Sequence, residues 1–312
     1  MTAVHPTAGR SLWRSLVGSD MLHAFLRSRL TVVAALLTLT YLLAALLAPL
    51  IAPTNPYDTA SLSLLDSSLP PAWLAQGDPK YLLGTDDQGR DILSTILYGL
   101  RISIGVGVVS VALAAMVGIA LGVVAGYVGG RVDAVIMRLA EVQLAFPAIL
   151  IALFLDGTVR SIWPLLKQED IAFTVIVAAL ALDNWAKYAR TVRGSTLVEK
   201  NRDYVQAARV IGLRPIAIMW RHVLPNVLGP VLVIATINFA LAILAEATLS
   251  FLGVGFPPTK PSLGTLIRIG NNFLFSGEWW ITLFPGITLA LLVLAVNILG
   301  DWLRDALNPR LR

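Results

Sequence analysis

The residues that could do chemistry include three acids embedded in apolar sequence: Glu141, Asp183 and Glu246. A carboxylate at membrane depth is a candidate for ion transfer or for a contact along a transport path. Glu141 follows Arg138, and Asp183 precedes Lys187, at spacings where opposite charges pair on one helix. Glu246 has no such partner in its own stretch. It is therefore predicted either to line a path or contact another subunit, or to form an interhelical hydrogen bond.

The sequence lacks the residues and motifs that would indicate a catalytic site. The chain has no cysteine, and His222 has no second ligand-type residue at metal-binding spacing. Neither a G-x-S-x-G motif nor a G-x-x-x-x-G-K-[ST] phosphate loop occurs. We therefore predict no catalytic residue, no bound cofactor and no metal site. An intramembrane hydrolase is the least favoured function.

The composition is that of an integral membrane protein. Hydrophobic residues make up 56% of the 312 residues, charged residues 14%, and the mean hydropathy is +0.75. A membrane-spanning helix needs about 20 mostly apolar residues. Runs of that length predict an all-α fold with six transmembrane helices, over 30–52, 102–127, 134–155, 171–188, 227–251 and 279–300.

The distribution of charge predicts the orientation. Most of the 24 basic residues lie in the tails and in the loops that follow the second and fourth spans. Lysine and arginine are enriched in cytoplasmic loops, so both termini are expected in the cytoplasm. The first external loop is instead rich in aspartate, and its ending "LLGTDDQGRDILSTILYGLRIS" contains a turn and helix-cap signal at residues 84–87. That signal predicts either a capped turn leading into the second span, with a short helix on the outer surface, or a docking element for an external partner.

These expectations divide the chain into successive segments. They are a cytoplasmic tail 1–29, a first transmembrane helix 30–52, an external segment 53–100, a five-helix core 101–300 with an internal loop 189–226, and a cytoplasmic tail 301–312.

The internal loop contains helix signals. Asn201 or Asp203 can cap a helix that stops at Gly212, and Pro215 can open a second short helix that Pro225 terminates. Tyr204, Ala207, Ala208 and Ile211 fall at helical spacing. Small side chains at 207, 208 and 212 favour close approach by another subunit. On composition alone, a basic amphipathic helix resting on anionic lipid remains an alternative.

Small and polar residues inside the spans predict helix contacts. Gly118, Gly122 and Gly126 recur every four residues along one face of the second span, which favours close packing within this chain or against a partner. Asn238 is a second candidate for a path or subunit contact, although helix–helix hydrogen bonding explains it as well.

The loop "DYVQAARVIGLRPIAIMWRHVLPN" resembles that of binding-protein-dependent ABC importer permeases, with Gln206 in place of the family's glutamate. "AEATLSFLGVG", "NILGDWLRDALNPRLR" and the external motif resemble the C-type permease of the dipeptide/oligopeptide subfamily, over most of residues 30–312. The resemblance implies a type I importer permease fold with a cytoplasmic coupling helix. It assigns ATPase coupling to Tyr204, Gln206, Ala207, Ala208, Gly212, Leu213 and Pro225.

The resemblance also implies partners: a second homologous permease forming a heterodimer, two ATP-binding subunits that use ATP and Mg, and an extracytoplasmic solute-binding protein. Peptide is the implied substrate, with nickel or another small solute as the alternative, in a bacterial inner membrane. Contact with membrane lipid is expected and contact with nucleic acid is not. A stand-alone ion-coupled carrier that uses the embedded acids is a further alternative, but no internal repeat supports it.

Overall fold

Long apolar helices dominate the fold, because a helix satisfies its own backbone hydrogen bonds where no water is available. The computed structural model describes residues 25–58, 62–163 and 168–306. Most of the predicted N-terminal tail, and residues 307–312 of the C-terminal one, lie outside these ranges. The α-helices are α1 (Arg29–Ile51), α2 (Ile92–Val128), α3 (Gly130–Leu144), α4 (Ala148–Ile162), α5 (Gln168–Glu199), α6 (Asp203–Val210), α7 (Pro215–Ile218), α8 (Leu224–Phe251), α9 (Leu263–Asn271) and α10 (Trp280–Ala306).

Five helical stretches of the described chain are long and apolar enough to cross a membrane. They are α1, α2, most of α5, the continuous stretch from α7 through α8, and α10. The sixth span is the pair α3 and α4, if the two together count as one. The single span predicted over 134–155 is broken into two helices: α3 and α4 meet at an angle of 90°. Pro147 lies at the break. It interrupts the helix because proline lacks an amide hydrogen and disfavours helical backbone in the preceding residue.

The last residues of the external segment belong to α2, although the sequence predicted a separate short helix there. Asp91, and not the 84–87 turn, caps α2: its carboxylate accepts a hydrogen bond from the Ser94 amide at 2.8 Å. The predicted short outer helix is thus the first turns of α2, and the boundary at residue 100 lies inside that helix. Likewise α5 extends to Glu199 and α10 to Ala306, past the expected boundaries at 189 and 300.

A buried ion pair and two hydrogen bonds hold the external segment against the helices. The Arg90 guanidinium lies 2.7 Å from the Asp86 carboxylate, and both side chains are almost fully buried. Arg90 also donates to the Pro258 carbonyl at 2.6 Å, which joins the segment to the loop between α8 and α9. The Trp280 indole donates to the Thr85 carbonyl at 3.1 Å. These contacts fix the start of α2, the end of α8 and the start of α10 relative to each other.

The helices pack around α2 and α5. α1 lies against α2 and α10, and α8 contacts α2, α5, α9 and α10. One buried cluster joins α1, α2, α8, α9 and α10 at the end that carries residues 62–91. A second joins α2, α5, α6, α7 and α8 at the opposite end, next to the internal loop.

Candidate functional site

The internal loop folds into a helical corner. α6 ends at Val210 and Gly212 follows with φ of +80°, the left-handed conformation that glycine adopts most readily. The Leu213 amide donates to the Ala208 carbonyl at 3.1 Å, and the Gly212 amide donates to the Arg209 carbonyl at 3.0 Å. This pair of hydrogen bonds is a Schellman motif, which satisfies the last carbonyls of the helix. The stop predicted at Gly212 is therefore present.

The start of α6 differs from the prediction. Arg202 is the N-cap and its side chain makes no capping hydrogen bond, so neither Asn201 nor Asp203 caps the helix. Asn201 instead donates from its amide to the Leu197 carbonyl at 3.1 Å. Gln206 donates to the Lys200 carbonyl at 3.2 Å, which fastens the turn between α5 and α6.

The two faces of the corner have opposite roles. Val205 and Ala208 are buried against the chain's own helices. Val210 and Ile211 point outward with 87% and 74% of their surface exposed. Ala207 and Gln206 are also exposed, and no atom lies within 4 Å of the position of a Cβ added to Gly212. The predicted face 204/207/208/211 is therefore divided: Ala208 packs inward, while Ala207 and Ile211 remain free to contact a partner.

A hydroxyl at the base of the corner ties three elements together. Tyr204 donates to the Glu199 carboxylate at the end of α5. Asn226 donates from its amide to the Tyr204 hydroxyl at 3.0 Å and to the His222 carbonyl at 2.7 Å. Partial burial, and then the hydrogen bond to Glu199, raise the pKa of Tyr204 to about 12. The phenol therefore stays protonated at physiological pH, in the form that can donate.

The corner continues into the membrane through α7 and α8. Between these helices, Met219–Val223 form a π-helical turn, and the Leu224 amide donates to the Met219 carbonyl. Pro225 lies in the first turn of α8. The prediction that it ends a separate short helix is therefore wrong. Its missing amide hydrogen and its ring are accommodated because the wider π turn precedes it. Pro225 and Leu213 are both exposed on the corner's outer side.

Three cationic side chains fasten the helices beside the corner. Arg193 of α5 donates from one guanidinium nitrogen to Asp133 of α3 at 2.6 Å. Lys200 donates to the Gly126 carbonyl at the end of α2 at 2.8 Å. Arg209 of α6 lies over the Tyr127 ring, 5.1 Å from its centre, a cation–π geometry. α6 is thus held against the ends of α2 and α5.

The three glycines of α2 face α5 of the same chain. A Cβ added to Gly118 would lie 2.5 Å from the Trp185 carbonyl oxygen, one on Gly122 2.6 Å from that of Ala189, and one on Gly126 2.9 Å from that of Arg193. Distances this short exclude any side chain, so the two backbones approach directly. Of the two partners left open by the sequence, the structure places these glycines against this chain.

The embedded acids lie in different surroundings. Glu246 is fully buried and accepts hydrogen bonds from Ser103 of α2 and from Ser250 of its own helix, each at 2.7 Å. The bond from Ser103 is an interhelical hydrogen bond, and Ser250 is an uncharged partner in the same helix that charge pairing does not indicate. Asp183 pairs with Lys187 at 3.4 Å and Glu141 with Arg138 at 3.3 Å, as their spacing predicts.

Asn238 is buried in α8, and its amide nitrogen has no hydrogen-bond partner among the residues that the structure describes. The sequence-predicted residues thus form two groups. The corner collects the coupling candidates, whereas Glu246 and Asn238 lie farther along α8 inside the helix bundle.

Sequence reasoning missed several residues of the corner. Asn226 lies 22 residues after Tyr204, and Glu199, five residues before it, belongs to a different helix. Neither carries a local motif, so only the folded structure reveals their hydrogen bonds. Val210 was missed as well, although Ile211 beside it belonged to the predicted face 204/207/208/211.

The chain matches known proteins over nearly its full length. Residues 118–312 match the family described as binding-protein-dependent transport system inner membrane component, and residues 16–71 match the N-terminal TM domain of oligopeptide transport permease C. The dipeptide transport system permease protein DppC of Escherichia coli K12 is 42% identical over 93% of this chain and 92% of that protein. The protein of the same name from Haemophilus influenzae is 40% identical over 92% and 93%, respectively.

Solved structures show the same fold. The fold resembles that of a chain in an inward-facing structure of the MetNI methionine ABC transporter, with a TM-score of 0.55 and 18% identity, over 69% of this chain and 96% of that one. The helical corner and the apolar spans are consistent with these matches, which cover most of the chain. The chain belongs to the family of inner membrane components of binding-protein-dependent transport systems.

Proposed function

We propose that this chain is the permease subunit of an ATP-driven importer of dipeptides or oligopeptides, and that the α6–α7 corner receives the movement of an ATPase subunit. The observation that carries the coupling role is the exposure of Val210 and Ile211 on an element whose other face is buried. A partner that presses on this corner meets apolar side chains on a rigid support. The corner is continuous with α8, so force applied there acts directly on a membrane-spanning helix.

The chain works as one part of an assembly. A second, homologous permease forms the other half of the path, two ATP-binding subunits hydrolyse ATP with Mg, and an extracytoplasmic binding protein delivers the substrate. Gln206, Ala207, Gly212, Leu213 and Pro225 are exposed on the corner and available to an ATPase, whereas Tyr204 and Ala208 hold the corner in place. The chain resides in a bacterial inner membrane with both termini in the cytoplasm. Peptide as substrate rests on the relatives, which are named as dipeptide transport permeases.

The function is tested by reconstituting the chain in vesicles with its partner permease, ATPases and binding protein. Dipeptide uptake should require ATP and should stop when the ATPase subunits are catalytically inactive. Uptake that persists with inactive ATPases, or that a proton gradient drives through this chain alone, would refute the importer assignment.

The coupling role is tested separately with Ile211→Asp. A buried, unpaired carboxylate in the interface costs several kcal/mol, so we expect uptake to fall at least tenfold while the complex still inserts in the membrane. Val128→Asp is the matched control, because Val128 is an exposed aliphatic residue at the same end of the bundle but outside the corner. Equal uptake by the two variants would contradict docking at the corner.

A further inference from the structure

An apolar groove opens between α2 and the stretch that follows the corner. Met116, Ala120 and Val124 of α2 form one wall, and Ile216, Trp220 and Leu228 form the other. The cavity measures about 440 Å³. Its walls are accessible, since Met116, Ile216 and Trp220 are each more than 60% exposed. Its floor includes the buried Val123.

The length of the groove along α2 is close to the depth of one leaflet of a bilayer. Met116 and Val124 are separated by eight helical residues, which corresponds to about 12 Å along α2. One half of a hydrocarbon core of about 30 Å is roughly 15 Å deep. The groove therefore runs along the helices for most of the depth that a lipid tail occupies, starting at the end that carries the corner.

Two arginines are close neighbours in sequence of residues that line the groove. Arg214 is the residue before α7 and Arg221 follows Trp220, and both are exposed. Neither forms an ion pair with any residue in the part of the chain that the structure describes. Trp220 is the kind of residue enriched where a membrane meets water. An apolar groove lined by a tryptophan, with two arginines that form no ion pair next to its lining residues in sequence, matches the chemistry of an anionic phospholipid.

We propose that this groove holds an acyl chain of an anionic phospholipid whose phosphate lies beside Arg214 and Arg221. The lipid fills the wedge between α2 and the α7–α8 stretch, so it packs against the element that carries the coupling corner. The proposal rests on the proposed cytoplasmic location of the corner but not on the substrate of the transporter.

The test measures lipid bound to the full-length chain by native mass spectrometry in detergent, using phosphatidylglycerol and phosphatidylcholine with identical acyl chains. One arginine near an anionic surface contributes about a fivefold preference, so the wild type should favour phosphatidylglycerol more than tenfold. Ala120→Trp should abolish the tightly bound lipid by filling the groove. Ala112→Trp, two turns earlier on α2 and outside the groove, should leave the lipid bound.

Two arms separate headgroup from tail. Arg214→Gln with Arg221→Gln should remove most of the preference for phosphatidylglycerol, whereas Arg190→Gln, an exposed arginine on α5, should not. Phosphatidylglycerol brominated on its tails should quench wild-type tryptophan fluorescence more than that of Trp220→Phe, which keeps the test valid if Ala120→Trp misfolds. Lipid retained by a folded Ala120→Trp, equal quenching of wild type and Trp220→Phe, or loss of the lipid when the partner permease binds would each overturn the proposal. The last result would assign the groove to a helix of the partner.

Discussion

Ser103 and Ser250 place two hydroxyl donors on one carboxylate in the interior of the helix bundle. A buried carboxylate that keeps its hydrogen bonds is tolerated, whereas one that loses a donor carries a large desolvation cost. The Ser103 hydroxyl also accepts a hydrogen bond from the Leu263 amide at 3.4 Å. Glu246 thus joins α2, α8 and the start of α9, and its contacts within this chain account for an acid in an apolar helix.

Ser103→Ala should lower the free energy of unfolding by about 1–3 kcal/mol, because it leaves one carboxylate oxygen without its donor. Ser110→Ala is the control: Ser110 is an equally buried serine of α2, but its hydroxyl bonds only to the Gly107 carbonyl of its own helix. Unfolding in detergent should distinguish the two variants. Similar stabilities would show that Glu246 does not depend on Ser103.

Gly212→Ala should destabilise the corner by about 1–2 kcal/mol, because a left-handed conformation is costly for a residue with a Cβ. No neighbouring atom would obstruct that Cβ, so the cost is conformational only. Gly229→Ala is the matched control within α8, where the Cβ also meets nothing and the helix favours alanine. Hydrogen exchange of α6 amides should rise in Gly212→Ala and stay unchanged in Gly229→Ala; the reverse order would contradict the role of the positive φ.

At the scale of elements, the most extensive helix–helix contact is the one between α2 and α5. Three glycines let a carbonyl of α5 approach where side chains would otherwise stand. The periodicity of these glycines in the sequence predicted close packing, but it could not identify the partner helix, because spacing on one helix contains no information about its neighbour. The break at Pro147 illustrates a different limit. The apolar run continues through it, so hydropathy alone predicted one span without a break.

Gly122→Ala should cost about 1–3 kcal/mol, since the added methyl group would overlap the Ala189 carbonyl and α2 and α5 would have to separate. Gly105→Ala in the same helix is the control, because its Cβ would meet only the Phe173 ring, at an ordinary 3.7 Å. Thermal unfolding of the purified chain provides the comparison. A Gly122→Ala variant as stable as Gly105→Ala would mean that the two helices are not held at this distance.

Tyr204→Phe should loosen α6 from α8, because it removes the hydroxyl shared with Glu199 and Asn226. The raised pKa of Tyr204 sets the pH dependence. The folded state holds this proton more tightly than the unfolded state, so the contribution is complete below about pH 10 and is lost as the pH rises towards 12. Hydrogen exchange of α6 should therefore show an increase above pH 10 in the wild type that Tyr204→Phe lacks. The same pH response in both would assign it to another group.

At the scale of the whole molecule, apolar runs and the order of motifs were enough to predict the helical class, most spans and the family. The contacts that position the candidate site were not predictable in this way. Asp133 with Arg193, and Lys200 with Gly126, join residues that are far apart in sequence and have no shared pattern. The exposed apolar corner emerged only when the buried side of α6 was known.

The absence of cysteine from the sequence makes the orientation directly measurable. Val128→Cys and Leu65→Cys introduce thiols at positions that are 56% and 94% exposed, at opposite ends of the bundle, with Val128 outside the corner. In intact cells a membrane-impermeant maleimide should label Leu65→Cys and spare Val128→Cys, and inverted vesicles should give the opposite pattern. Labelling of both from one side would refute the proposed topology.

The π turn at Met219–Val223 sets the rotational phase of α8. A π turn contains about one residue more than an α turn, and one residue corresponds to about 100° around a helix axis. The residues of α8 that follow Val223 are therefore rotated about the helix axis, relative to the corner at Gly212, from the positions that a regular helix would give them. The face of α8 that carries Glu246 meets Ser103 only with this offset, so the phase of the transmembrane helix is determined outside it, by a single irregular turn.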